Sequence, residues 1–107
     1  MNRGEVWWIN FDLSVGSEIK KERPAIIVSN NAANRNLNRV QVVPITSNVS
    51  RIYPSEAMVT LQGRSGKAMA DQLTTVSKQR IRKKAGEITS EEMTAVELAI
   101  RVQLGLL

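Results

Sequence analysis

Residues 89–107 read Thr-Ser-Glu-Glu-Met-Thr-Ala-Val-Glu-Leu-Ala-Ile-Arg-Val-Gln-Leu-Gly-Leu-Leu, and the helical signal of the chain is concentrated there. Thr89-Ser90-Glu91-Glu92 is a capping box: the Thr89 hydroxyl can accept from the backbone N–H of Glu92, whose carboxylate can reach back to the N–H of Thr89. Met93, Val96, Ile100, Leu104 and Leu107 then recur at helical spacing and define one apolar face. Everything upstream reads as strand, turn, loop or short irregular helix. Strands first and one helix last, without β–α alternation, predict a mostly β (α+β) fold, an antiparallel sheet or small barrel with a packed C-terminal helix.

Working back from that helix, Lys67 to Val76 reads as a strand with polar interruptions at Asp71 and Gln72, and Gly63-Arg64-Ser65-Gly66 as a turn before it. Glu56 to Leu61 alternates weakly and is another strand. Val40 to Thr46 has strand composition, with Pro44 pointing to a bulge or an exposed edge. Asn30 to Asn38, rich in Asn, is a turn or short irregular helix. Pro24 to Val28 is an apolar run with Pro at its first position, as a buried strand tolerates. Gly4 to Phe11 is rich in aromatic and β-branched residues and reads as a strand whose adjacent Trp7 and Trp8 point to opposite faces. One of these belongs in the core; the other covers an interface or stacks on a base. Asp12 to Lys21 has no sustained period and forms a long loop, a class of segment that often carries function.

The chain has 107 residues, no Cys and no His, 15 Lys plus Arg against 10 Asp plus Glu, and a formal net charge of +5. It fits one domain over residues 1–107. Without Cys there are no disulfides, zinc fingers or thiol nucleophiles. Without His there is no Ser-His-Asp triad, and the usual general base is missing. Catalysis must therefore run on Arg, Lys, Asp, Glu, Tyr, Ser or Thr, alone or with a hard cation held by carboxylates. No segment approaches the roughly eighteen apolar residues of a membrane span, and the opening Met-Asn-Arg-Gly-Glu lacks the order of a secretory signal. A cytoplasmic protein without membrane association is expected, and a basic chain points to an anionic partner.

Several residue groups could carry chemistry. Lys78, Arg80, Arg82, Lys83 and Lys84 could attract a phosphate backbone, although such a run by itself reads as a solvated connector between the last strand and the helix. Arg23 ends the long loop where the chain enters the core. A guanidinium fixed there is a fork suited to phosphate, or else pairs with Glu18 or Glu22. Thr46 and Ser47 close a strand and can donate hydrogen bonds, as an ordinary strand-end pair also would. Asp71 and Gln72 are either a satisfied bulge or readers of base edges.

Taken together, Arg3-Gly4-Glu5-Val6-Trp7-Trp8, Gly16-Ser17-Glu18, Arg23-Pro24-Ala25-Ile26-Ile27-Val28-Ser29, Val43-Pro44-Ile45-Thr46-Ser47, Ala70-Asp71-Gln72 and the closing helix resemble the MazF/PemK family of bacterial toxin endoribonucleases. The resemblance spans nearly the whole chain. It implies a small SH3-like antiparallel barrel of about five to seven strands with a C-terminal helix, of the kind MazF, CcdB and Kid share. It also implies a homodimer and cleavage of single-stranded RNA without metal or cofactor, leaving a 2′,3′-cyclic phosphate and a 5′-hydroxyl. A cognate MazE-like antitoxin would neutralise such a protein by laying a disordered, usually acidic segment across its groove.

Carried onto this sequence, the resemblance gives Arg23 and Thr46 as catalytic, with Glu18 assisting as base. Lys20, Ser47, Asp71 and Gln72 become RNA contacts, and the loop from Leu13 to Glu22 is expected to open for RNA. Met69 stands where some relatives carry a second arginine. Two rivals are a CcdB-like toxin that binds DNA gyrase and a barrel that binds RNA without cutting it.

Overall fold

A computed structural model describes residues 1–11 and 22–106. Seven strands form one antiparallel sheet: β1 (Glu5–Asn10), β2 (Glu22–Ile27), β3 (Arg39–Thr46), β4 (Glu56–Leu61), β5 (Arg64–Met69), β6 (Thr74–Ser77) and β7 (Ile81–Glu87). A short helix, α1 (Asn31–Asn36), sits between β2 and β3, and α2 (Ser90–Leu104) closes the chain. The strands run in the order β4-β5-β3-β2-β1-β7, with β6 added to β3. This is the mostly β fold with a C-terminal helix that the sequence predicts.

β3 organises the sheet. One flank pairs with β2 through Ala25↔Pro44, Ile26↔Val43 and Ile27↔Val42. The other flank is shared: Arg39 to Val42 pair with β6, and Ile45 and Thr46 with β5. Pro44 lies at the handover between those two partners. A residue with no N–H removes no ladder bond on a flank where no strand lies opposite. Pro44 is therefore buried in the central strand, not at a bulge or an exposed edge.

The two sheet faces carry separate clusters. Val6, Ile26, Val43, Ile45, Val59 and Ala68 form one with Met93, Val96 and Ala99 of α2, and half-buried Trp8 packs against it. Ile9, Ala25, Ile27, Val40, Val42 and Val76 form the other, with Trp7 packed against that one. The tandem tryptophans thus take opposite faces as strand geometry requires. The Trp7 indole N–H donates to Glu5 Oε1 at 3.0 Å.

The capping box forms as read: Glu92 N donates to Thr89 Oγ1 at 3.1 Å, and Thr89 N donates to Glu92 Oε1 at 2.8 Å. Glu92 Oε2 also accepts from Thr60 N at 2.6 Å, tying the first turn of the helix to β4. The buried face is Met93, Val96 and Ala99, with Ile100 half-buried. Leu104 departs from expectation: it is 53% exposed, because the buried stretch of the helix ends at Ala99 and no residue of its last turn is buried. Leu107 lies outside the described residues. Gly105 ends the helix in the left-handed conformation, φ 68°.

Three further readings are corrected. Residues 67–76 are not one strand: β5 ends at Met69, a 3-10 turn covers Ala70–Gln72, and β6 begins at Thr74. Residues 63–66 are not a turn. The reversal is at Gln62 and Gly63, with φ of 52° and 77°, and Arg64 already belongs to β5. Two consecutive positive φ values are what a tight hairpin demands. The basic run from Lys78 to Lys84 is not a connector either: Lys78–Arg80 is a 3-10 turn, and β7 starts at Ile81 to pair with β1. Ala85 is the one fully buried residue of β7, so the apolar alternation that marks a strand is missing there. Among the described residues no helix is long and apolar enough to cross a membrane.

Candidate active site

The register of the β2–β3 ladder brings the two chief candidates together. Ala25 pairs with Pro44, so Arg23, two residues before Ala25, and Thr46, two residues after Pro44, come side by side at the same end and on the same face. Both line a cleft of about 830 Å³. Its floor is Trp8, Pro24 and Ile45, and Ser47 continues the Thr46 side. The opposite wall comes from the β4–β5 hairpin, through Gln62, Arg64, Ser65 and Gly66.

Arg23 is exposed, and no described carboxylate lies within ion-pair distance of its guanidinium, Glu22 included. The alternative of a structural pair with Glu22 is not what the chain adopts. Glu18, the other partner weighed, lies outside the described residues, as do Lys20 and the loop expected to move. Thr46 is half-buried. Its Oγ1 accepts from Asn48 N at 3.3 Å, which leaves the hydroxyl hydrogen free to donate into the cleft.

A second hollow, about 210 Å³, adjoins the first. Arg23 is common to both, and Phe11, Pro44, Gln72 and Thr74 complete it. Gln72 thus faces the same arginine from the other side, with its amide Nε2 3.6 Å from Met69 Sδ. Asp71 is exposed on the same 3-10 turn but lines neither hollow. The chain therefore brings Arg23, Thr46, Ser47 and Gln72 together and leaves Asp71 at the margin.

The walls are stiff. Gln62 Nε2 donates to Ala85 O at 2.9 Å, fastening the hairpin tip to β7. Lys67 is buried and donates to Arg51 O at 2.7 Å and to Glu56 Oε1 at 3.1 Å, fastening the hairpin base to the loop after β3. Gly66 allows the hairpin to lie against β3: a Cβ there would stand 2.9 Å from Ile45 Cγ2 and 3.1 Å from Thr46 O.

Two described groups that do not line the cleft have shifted titrations. Burial pushes the Glu5 carboxyl up, but hydrogen bonds from the Asn2 amide, Trp7 and Lys84 outweigh it and hold it below the usual range. Hydrogen bonds to Glu87 and Glu5 raise Lys84 in turn. Among the described residues no three carboxylates converge as a metal site would require. What the cleft offers is a guanidinium, a free hydroxyl and fixed polar groups, a set that suits stabilisation of a phosphoryl transition state.

Residues 2–104 match the family described as PemK-like, MazF-like toxin of type II toxin-antitoxin system. The chain is 33% identical to the endoribonuclease MazF9 of Mycobacterium tuberculosis, covering 99% of this chain and 98% of that protein. It is also 33% identical to the endoribonuclease toxin MazF of Escherichia coli, over 95% of this chain and 92% of that one. Among solved structures, a mycobacterial endoribonuclease in complex with its cognate antitoxin superposes with a TM-score of 0.81 at 32% identity, covering 100% and 97% of the two chains. A MazE–MazF complex from Deinococcus radiodurans superposes at 0.84 with 26% identity, covering 100% and 97%. Fold, cleft and sequence agree on a small toxin of the MazF type. The chain belongs to the PemK-like, MazF-like toxins of type II toxin–antitoxin systems.

Proposed function

We propose that this toxin is an endoribonuclease that cuts single-stranded RNA without a metal, leaving a 2′,3′-cyclic phosphate and a 5′-hydroxyl. The observation that carries the proposal is the pairing of Arg23, unengaged by any described acid, with Thr46 on one cleft wall. In this reading the substrate supplies its own nucleophile. The 2′-oxygen attacks the adjacent phosphorus, the 2′-proton passes to a base, and the P–O5′ bond breaks as the 5′-oxygen takes up a proton. Arg23 donates to the equatorial oxygens of the dianionic phosphorane and gives a guanidinium proton to the leaving 5′-oxygen, regaining one from solvent, while Thr46 donates to a non-bridging oxygen.

A guanidinium has donors and no acceptor, so a carboxylate must receive the 2′-proton. We assign that role to Glu18; Glu22 is the one carboxylate among the described residues that line the cleft. Ser47, Gln72, Asp71 and Lys20 are assigned to RNA contact, with Gln72 reading a base in the hollow it shares with Arg23 and Phe11. The same reading makes the protein a cytoplasmic homodimer neutralised by a cognate MazE-like antitoxin. Leu98, Leu104 and Leu106, at 53%, 53% and 68% exposed, are apolar surface that a second subunit would cover.

Incubation with a long single-stranded transcript in EDTA, beside Arg23→Ala, tests the proposal. Discrete fragments ending in cyclic phosphate, made by the parent and not by the variant, are expected. Intact RNA across several diverse transcripts would overturn the reading and redirect the search to a protein target.

A further inference from the structure

The cleft contains a second arginine with no part in the proposed reaction. Arg64 lies on the hairpin wall, facing the same space as Arg23 and Thr46 from the opposite side. Its side chain is exposed, and no described carboxylate lies within ion-pair distance of it. Elsewhere in the fold, Lys67 is committed to Glu56, Lys84 to Glu5 and Glu87, and Lys78 to the Asn34 carbonyl. An unengaged guanidinium at a cleft is a donor set waiting for an anion.

Its placement is fixed as well as open. Gln62, one residue before the turn glycine, holds a left-handed φ of 52° while its amide grips Ala85 O. Gly66, two residues after Arg64, abuts the Thr46 carbonyl. Alternate residues of a strand point to the same side and stand roughly 6.6 Å apart. Arg64 is therefore set about one nucleotide step from the Thr46 end of the cleft, on a wall anchored at both tip and base.

We propose that Arg64 binds the phosphodiester adjacent to the scissile one, so that RNA is held across the cleft between two arginines on opposite walls. This rests on the endoribonuclease reading above. Arg23 meets the phosphate whose charge grows during reaction; Arg64 meets a neighbour whose charge does not change. Its contribution is the same in the ground state and the transition state, which lowers KM and leaves kcat alone. A phosphate contact on a single strand also releases counterion, with a slope of roughly 0.7 in log K against log salt.

The experiment begins by mapping a cleavage site in a long transcript with the parent protein. Failure to cut at this step sinks the endoribonuclease reading itself. A short oligoribonucleotide spanning the mapped site is then made with a 2′-deoxy nucleotide at the point of attack, so that it binds without being cut. Its affinity is measured from low to high KCl for the parent, Arg64→Ala, Arg64→Lys and Arg39→Ala. Arg39 is a control cation at the far end of β3 from Thr46. Arg64→Ala is expected to weaken binding roughly five- to tenfold at about 50 mM salt and to lower the salt slope by about 0.7. Arg64→Lys should restore the slope, and kcat on the cleavable oligonucleotide should stay within about twofold for both. Unchanged affinity and slope would overturn the proposal. So would an equal loss from Arg39→Ala, which would reduce the effect to net charge, or a fall in kcat with binding intact, which would place Arg64 in the chemistry.

Discussion

Arg23 and Arg64 face a cleft in which no described carboxylate lies within ion-pair distance of either, whereas on the opposite flank of the sheet Lys84 is shared between Glu5 at 3.3 Å and Glu87 at 2.9 Å. Lys67, behind the hairpin, is sunk against Glu56 at 3.1 Å with both side chains nearly excluded from water. In sequence the β7 region is the conspicuous one, with five cations between Lys78 and Lys84, while Arg23 and Arg64 stand in mixed surroundings. Folding inverts that impression. Within the dense run, Lys78 and Lys84 close contacts inside the fold, and the isolated arginines are left available. The density of positive charge along a chain says little about where an anion binds; what decides is whether folding supplies each cation with an internal partner.

That contrast can be broken at four points. Arg23→Ala should cut the cleavage rate by about 10³-fold, the scale on which arginines acting on transferring phosphoryl groups operate, with an unchanged thermal midpoint because the side chain is exposed. A variant retaining a tenth of the parent rate in single-turnover assays would remove Arg23 from the chemistry. Lys67→Met should act on the other side of the divide. It leaves the Glu56 carboxylate with the Tyr53 amide but no counter-charge and little solvent access, and about 3 kcal/mol of stability should be lost in urea titrations. A loss no larger than that of an exposed pair would show that the pair does not anchor the hairpin.

Gly66→Ala joins the two regions. The new methyl must displace Ile45 or the Thr46 carbonyl, so a loss of about 1–3 kcal/mol in stability should accompany a fall in kcat with little change in KM. A stable variant with reduced RNA affinity and normal kcat would mean the wall moves without disturbing Thr46. The smallest effect is at Glu5. Its carboxyl is held below the ordinary range, so the stability it adds is present above the pKa of the unfolded chain and is lost as acid carries the pH through the lower folded value. Glu5→Gln should therefore lower the unfolding midpoint slightly at neutral pH, and the difference from the parent should vanish in strong acid. Lys84 works in the opposite sense: its raised value keeps its contribution at neutral pH and surrenders it only in alkali. A gap between parent and Glu5→Gln that is constant from neutral to acid pH would contradict the linkage.

Much of the architecture was legible because the segments concerned bury a periodic face. Val6 and Ile9, the run from Ala25 to Ile27, Val40 to Ile45, and Met93 with Val96 all carry patterns that map directly onto burial. β7 was not legible: an edge strand with one fully buried residue and a register shift opposite Trp7 and Ile9 has no apolar alternation to read. The 3-10 turn at Ala70–Gln72 was hidden because apolar residues flank it on both sides and continue the strand pattern across it.

For the site, Arg23 and Thr46 stood out singly as a phosphate fork and a strand-end donor, and their pairing as catalytic residues came from resemblance. No spacing argument could pair residues 23 and 46 without the β2–β3 register. The hairpin wall was missed altogether, since reading residues 63–66 as a turn placed Arg64 and Ser65 in a solvent-facing reversal. The available signal was Gln62-Gly63, a dipeptide suited to two positive φ values and flanked by strand composition on both sides.

The triple engagement of Glu92 gives the last helix a reach beyond its own packing. One carboxylate answers the amide of Thr89 and, through its other oxygen, the amide of Thr60 on β4, while its own amide answers the Thr89 hydroxyl. Thr60 is paired with Ser65, the neighbour of Arg64 on the cleft wall. The helix is thus a strut whose foot stands on the hairpin. The two cannot settle independently during folding, and a lesion at Thr89 or Glu92, remote from the cleft in sequence, is transmitted to it as a shift of the wall that carries Arg64.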